Sequence, residues 1–206
     1  SVGFPTFDGC IEAVRALVGS GVDAIEFGIP YTDPVMDGPV IQEAADRALS
    51  HGTRPAHVMT AIDAVSDLDA ALLVMSYYNP ILKYGLDAFA RDLAAAGGAG
   101  VITPDLTPDS GGDWIEASGT RNVERIFLAA PSSPEERLRL VTESSTGFVY
   151  AASTMGVTGL RSSVGDAAHT LVDRTRRAGA ERVCVGLGVS NGEQAAEVGT
   201  YARSEE

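Results

Sequence analysis

Short, near-continuous apolar runs recur along the chain: AIEFGI (24–29), AALLVMSY (70–77), AGVITPDL (99–106), ERIFLAA (124–130), GFVYAAS (147–153) and RVCVGLGV (182–189). Runs of this kind are strands of a parallel sheet covered by helices, because such strands are shielded on both faces and lose the simple in–out alternation of a half-solvated sheet. Amphipathic segments separate them, and no hairpin signal joins any two. The opening SVGF reads as the last residues of one further strand. Strict strand–helix alternation points to an α/β chain closing as a TIM-type (β/α)8 barrel, although alternation alone also fits a doubly wound sheet. The loop GLGVSNG (186–192) weighs against the second, since Asn191 stands where a dinucleotide fingerprint needs its third glycine.

The helical segments carry their own punctuation. In GCIEAVRALVGSG, residues Ile11, Val14, Leu17 and Val18 share a face, with Asp8 ahead as a candidate N-cap and Gly21 behind as a stop. In VIQEAADRALS the expected buried stripe is Val40, Ala44, Ala45, Ala48 and Leu49. Two capping boxes are expected, Ser133 with Glu136 and Ser190 with Glu193, the first with Pro134 at the first helical position.

Composition narrows the function classes. The chain has 206 residues, 45% of them hydrophobic, enough for one sizeable core, so residues 1–206 are expected to form a single barrel domain. A net charge of −13 without a basic patch argues against nucleic acid or an anionic membrane as partner. No apolar run reaches the ~18 residues of a membrane span, and no basic-then-apolar leader is visible. Cys10 and Cys184 lack metal-type spacing, and a reducing cytoplasmic setting is expected. His51, His57 and His169 have no carboxylate at metal spacing and read as surface or capping residues, so no metal is expected; Trp114 reads as core.

The first strand poses the chemical question. In AIEFGI, alternation sends Ala24, Glu26 and Gly28 to one face and Ile25, Phe27 and Ile29 to the other. Glu26 is therefore a carboxylate among small neighbours, near the strand's C-terminal end, where barrels of this kind place their active sites. A strand glutamate can equally be the buried partner of a cation. The loop PYTDPVMDGP that follows is stiffened by prolines and carries Asp33 and Asp37. Either aspartate can be a turn former, Asp33 preferentially so.

Taken together, GFPT, DAIEFGIPYTDPVMDGPVIQ, MSYYNPILKYG, GVITPDL, GFVYAASTMGVTG and GLGVSN resemble the α subunit of tryptophan synthase, in that family's order over almost the whole chain. The resemblance implies a TIM barrel lyase that cleaves indole-3-glycerol phosphate to indole and glyceraldehyde 3-phosphate by retro-aldol chemistry, in tryptophan biosynthesis. It implies no cofactor on this chain. The partner it implies is a β subunit containing pyridoxal phosphate, in an α2β2 complex that the turn Tyr78, Asn79 and Pro80 is expected to touch.

Residue by residue, the resemblance makes Glu26 the acid/base at indole C3 and the chain hydroxyl, and Asp37 the carboxylate that accepts the indole N–H. Tyr77 and Tyr150 match pocket tyrosines, Tyr150 supporting Glu26. Thr158 matches a loop threonine that meets the aspartate of the other loop. Gly159 and Gly188 match glycine loops whose backbone N–H groups hold the phosphate, Gly186 is a further substrate-binding position, and Leu187 matches an apolar wall of the indole slot. A phosphate does need several converging donors with no side chains in the way. Against the family pattern the chain starts inside the first strand and stops before the eighth unit with its Gly-Ser loop, so a barrel clipped at both ends, with weakened phosphate binding, is expected.

Two other functions fit a chain of this kind. Another phosphosugar barrel enzyme would need metal-type His/Asp spacing or paired aspartates on the first and fifth strands, and neither is present. A noncatalytic barrel subunit that binds and activates a β partner would use the loops alone.

Overall fold

In a computed structural model of the chain, residues 1–152, 165–186, 189 and 191–202 are described. Helices and strands alternate apart from the helix pairs α2–α3 and α4–α5 and the strand pair β4–β5: α1 Phe7–Gly19, β1 Ala24–Gly28, α2 Pro39–Ser50, α3 Ala56–Asp63, β2 Ala71–Met75, α4 Tyr78–Tyr84, α5 Leu86–Ala96, β3 Gly100–Ile102, α6 Gly112–Gly119, β4 Glu124–Ile126, β5 Leu128–Ala129, α7 Glu135–Ser144, β6 Val149–Ala152, α8 Gly165–Arg177, β7 Val183–Gly186 and α9 Gly192–Val198. Among the described residues all the strand pairs are parallel, in the orders β1-β2-β3-β4 and β5-β6-β7.

The run 124–130 forms two strands rather than one. Its first half pairs with β3, its second with β6, and the change of partner falls at Phe127, whose carbonyl accepts from Tyr150 N–H at 3.1 Å. Staggered strands in a barrel produce this exchange, because each strand slides along its neighbour as the wall curves. The opening segment is not a strand among the described residues, although Val2 is buried and its N–H donates to the Gly28 carbonyl at 2.9 Å.

Register divides the side chains into two layers. Ile25 lies opposite Leu72 and Phe27 opposite Val74, and these residues join the large apolar cluster that includes Ile62, Phe89, Trp114, Leu138 and Leu171 from the helices. The alternate positions point inward. Leu73, Ile102, Ile126 and Tyr150 form a separate small cluster, with Met75 and Leu128 against it. Glu26 lies opposite Leu73, so it belongs to this inner layer. Gly100 marks a close approach between the paired strands β3 and β4, where Glu124 is its register partner: a Cβ there would lie 2.7 Å from Glu124 Cβ and 2.9 Å from its carbonyl oxygen. Gly100→Ala is therefore expected to cost about 1–3 kcal/mol, read as a lower urea midpoint at unchanged m value.

Several helix ends differ from the sequence expectation. Thr6, not Asp8, caps α1, its side chain accepting from Gly9 N–H at 3.1 Å, while Asp8 sits in the first turn near the positive end of the helix dipole. Val40 is 72% exposed, so the buried stripe of α2 begins a turn later with Ala44, Ala45 and Ala48. Pro134 stays extended at ψ 162°, which delays α7 to Glu135 and leaves Ser133 Oγ accepting from Ala130 N–H at 3.1 Å instead of capping. Asn191 caps α9 by accepting from Gln194 N–H at 2.9 Å; Ser190 lies outside the described residues. Trp114 is fully buried as expected, and all three histidines are exposed, with His57 Nδ1 accepting from Arg54 N–H at 3.0 Å.

Candidate active site

The strand β1 carries Glu26 inward because Ile25 and Phe27, the bulkier apolar residues on either side of it, are drawn to the helix layer. Water reaches the Glu26 side chain, yet protein encloses it on most sides, as in any concavity. Desolvation accordingly raises its carboxyl above the ordinary carboxylate range. Cys184, opposite Tyr150 in register, faces the same interior: burial pushes its thiol up to about 12, and the Glu26 charge adds to the effect. A thiol held that high stays protonated, so beside Glu26 it acts as a neutral neighbour.

The second carboxylate comes from the loop between β1 and α2. Burial raises Asp37 as well, and a hydrogen bond from the Tyr77 hydroxyl opposes the rise by favouring the ionised form. The same hydroxyl accepts from Met36 N–H at 2.9 Å. Gln42, on the first turns of α2, donates from Nε2 to the Asp37 carbonyl at 2.7 Å. Tyr77 itself is buried, directly ahead of α4, and its hydroxyl is raised by burial and by the Asp37 charge. Asp33 accepts from the Thr32 hydroxyl at 2.6 Å, in keeping with a turn-forming role.

A cavity of about 70 Å³ joins these groups; Asp37, Tyr77 and Tyr150 are in its wall, with Gly28 and Leu128. Glu26 is not in that wall. It sits two residues before Gly28 on the same inner face, one layer deeper. A larger hollow of about 430 Å³ adjoins it and shares Met36, Pro104 and Leu128.

Gly186 has a packing role that the sequence did not reveal. A Cβ built there would fall 1.8 Å from the Tyr150 hydroxyl oxygen, so the bare α-carbon is what lets the Tyr150 ring lie across β7. Gly186→Ala should displace that ring and lower kcat/KM by about tenfold, with the fold retained by circular dichroism.

Of the other expected site residues, Thr158, Gly159, Leu187 and Gly188 lie outside the described residues. Sequence reasoning missed Met36, Gln42 and Leu128. Leu128 could have been found by carrying the inward alternation of 124–130 across to Tyr150, its register partner. Among the described residues, no group of three or more His, Cys, Asp or Glu could hold a metal ion, and no helix is long and apolar enough to cross a membrane.

A parallel (β/α) barrel of TIM type, with one carboxylate on an inner strand face and another on the loop after the same strand, both raised by desolvation, has the layout of a barrel enzyme with its site at the C-terminal ends of the strands. The family model described as tryptophan synthase alpha chain matches residues 1–204. The chain is 59% identical over 203 residues to the tryptophan synthase alpha chain of Thermobifida fusca, covering 97% of this chain and 75% of that protein. The corresponding protein of Bifidobacterium longum is 53% identical over 200 residues, covering 97% and 69%. Among solved structures, Mycobacterium tuberculosis tryptophan synthase superposes with a TM-score of 0.92 at 51% identity, over 98% of this chain and 77% of that one. The tryptophan synthase α2β2 complex of Pyrococcus furiosus gives 0.89 at 31% identity, over 98% and 82%. The chain belongs to the tryptophan synthase α-chain family. It has that family's place in tryptophan biosynthesis, as a carbon–carbon lyase.

Proposed function

We propose that this chain cleaves indole-3-glycerol phosphate to indole and glyceraldehyde 3-phosphate, with Glu26 and Asp37 as the catalytic pair. In this reading Glu26, as a protonated acid, delivers its proton to indole C3. As positive charge spreads to the ring nitrogen, the Asp37 carboxylate accepts the indole N–H and stabilises it. The carbinol hydroxyl then gives up its proton to the Glu26 carboxylate, the bond between C3 and the glycerol carbon breaks with its electrons returning to the ring, and the aldehyde forms. One group serving as acid and then base needs a pKa lifted toward the working pH. The observation that carries the proposal is that an inner strand and the loop after it supply two carboxyls, both raised by burial, and that the Tyr77 hydroxyl favours the ionised form of Asp37.

Tyr77 holds Asp37, Tyr150 and Leu187 line the indole slot, and Thr158, Gly159, Gly186 and Gly188 serve the closing loop and the phosphate. The chain works in the cytoplasm and assembles with a β subunit as α2β2 through the loop after β1 and the turn at Tyr78, Asn79 and Pro80. Support for the partner comes from the Pyrococcus furiosus neighbour, which is described as a mutually activated α2β2 complex.

Incubation with indole-3-glycerol phosphate, with and without a β subunit, tests the proposal by the release of indole. Indole should form in both cases and faster with the partner; no indole in either case would overturn it.

A further inference from the structure

Tyr31 makes contacts that the reaction itself does not require. It is half-buried in the loop after β1, its ring centre stands 5.5 Å from that of Tyr77 at a tilt of 37°, and its hydroxyl accepts from Asn79 Nδ2 at 3.0 Å. Asn79 is in the first turn of α4, and Tyr77 is the residue just ahead of that helix. One side chain of the Asp37-bearing loop thus touches both the tyrosine that holds Asp37 and the helix that follows that tyrosine.

The loop needs such a tie. At its start Ile29 N–H donates to the Met75 carbonyl at 3.0 Å, and at its end α2 begins at Pro39. Between them Thr32 and Asp33 are exposed and Val35 is 71% exposed, so burial does little to hold the middle of the loop. The hydroxyl of Tyr77 sits at the far end of a rigid ring, where a small swing at the base becomes a large displacement, and a hydrogen bond weakens steeply once its length or angle departs from the optimum.

We infer that Tyr31 is a positioning residue for Asp37: its ring and its bond to Asn79 confine the Tyr77 ring, and the Tyr77 hydroxyl in turn confines the Asp37 carboxylate. The inference rests on the functional reading above for its consequence in catalysis, but its geometry stands without it. The groups facing Asp37 are Tyr77 from the segment after β2 and Tyr150 from β6 across the shared cavity, whose wall also includes Ser1; Asp105, after β3, acts on Tyr77, and Glu26 lies one layer deeper on β1. All of these except Tyr77 are left chemically unaltered in the test.

The test combines a ¹³C NMR titration of the Asp37 carboxyl, assigned with Asp37→Asn, with steady-state cleavage kinetics in Tyr31→Ala, Tyr31→Phe, Tyr77→Phe and the Tyr31→Ala/Tyr77→Phe double variant. Tyr77→Phe removes a bond that favours ionised Asp37, so Asp37 should titrate at higher pH. Tyr31→Ala should move it in the same direction, and the double variant should move it no further than Tyr77→Phe alone. Turnover of Tyr31→Ala should fall by about tenfold with KM changed by less than about threefold, a fraction of what a full acid–base group supplies. Tyr31→Phe keeps the ring and loses only the bond to Asn79, so its effects should be smaller in the same direction; being nearly isosteric, it carries the comparison if the alanine variant does not fold. An Asp37 titration unmoved by the Tyr31 variants, or effects that simply add in the double variant, would overturn the inference. A parent chain that releases no indole while the titration shifts as described would sink the functional reading and leave the positioning role standing.

Discussion

Glu26→Gln should abolish indole release, a loss of roughly 10²–10⁴-fold or more if one side chain serves as both acid and base. Glutamine keeps the shape of the side chain and its place opposite Leu73, but it can neither deliver a proton to C3 nor collect one from the hydroxyl. The same variant makes a second, independent prediction about stability. Burial raises the Glu26 carboxyl in the folded chain above its value in the unfolded chain, so the folded state binds the proton more tightly. Stability then falls as pH rises through the window between the two values, and the penalty is complete above the folded one. Glu26→Gln removes a charge the fold disfavours, so it should melt higher than the parent near neutral pH, with the difference disappearing in acid. Lost activity together with a raised melting temperature is the trade expected of a group kept for chemistry rather than for folding. A glutamine variant that cleaves at near-parental rate removes Glu26 from the mechanism; one that melts lower at neutral pH shows the carboxylate to be a structural partner instead.

Asp37→Asn should lower kcat by at least about 100-fold with a much smaller change in KM. Asparagine can still meet the Tyr77 hydroxyl, and the Gln42 bond is to the backbone carbonyl, so the loop keeps its anchors. What disappears is the negative charge opposite a ring nitrogen that turns positive only in the transition state, and an interaction made only there appears in kcat. Since Asp37 must be ionised to act, parental turnover should also decline as pH falls through a carboxyl value that burial has lifted above the ordinary range. A loss confined to KM would assign Asp37 to ground-state binding.

The limits of the sequence can be traced to particular residues. The runs 70–77 and 182–189 contain the strands they predict, β2 and β7, because apolar continuity bounded by turn residues is a local property. Helix caps shifted by one or two positions, as at Thr6 and Asn191, because the cap is whichever residue keeps an extended backbone while its oxygen reaches a free N–H, and neighbouring polar residues compete for that place. Glu26 and Asp37 stood out as candidates from the spacing of one strand and one loop, and their assignment came with the family motif.

The sequence by itself determined the alternation of strands and helices, the inward face of β1 with its single carboxylate, and the family to which the motifs belong, since each is written in residues close together along the chain. Tertiary structure alone decided the rest: that Tyr77 holds Asp37, that Tyr31 reaches Asn79, that the strand at 124–129 changes partner at Phe127, and that Gly186 is bare because Tyr150 lies across it. Each of these depends on the register between strands or on the path of a loop across the barrel mouth. A one-residue change of register would turn every side chain of a strand to the opposite face without altering a letter of its local pattern.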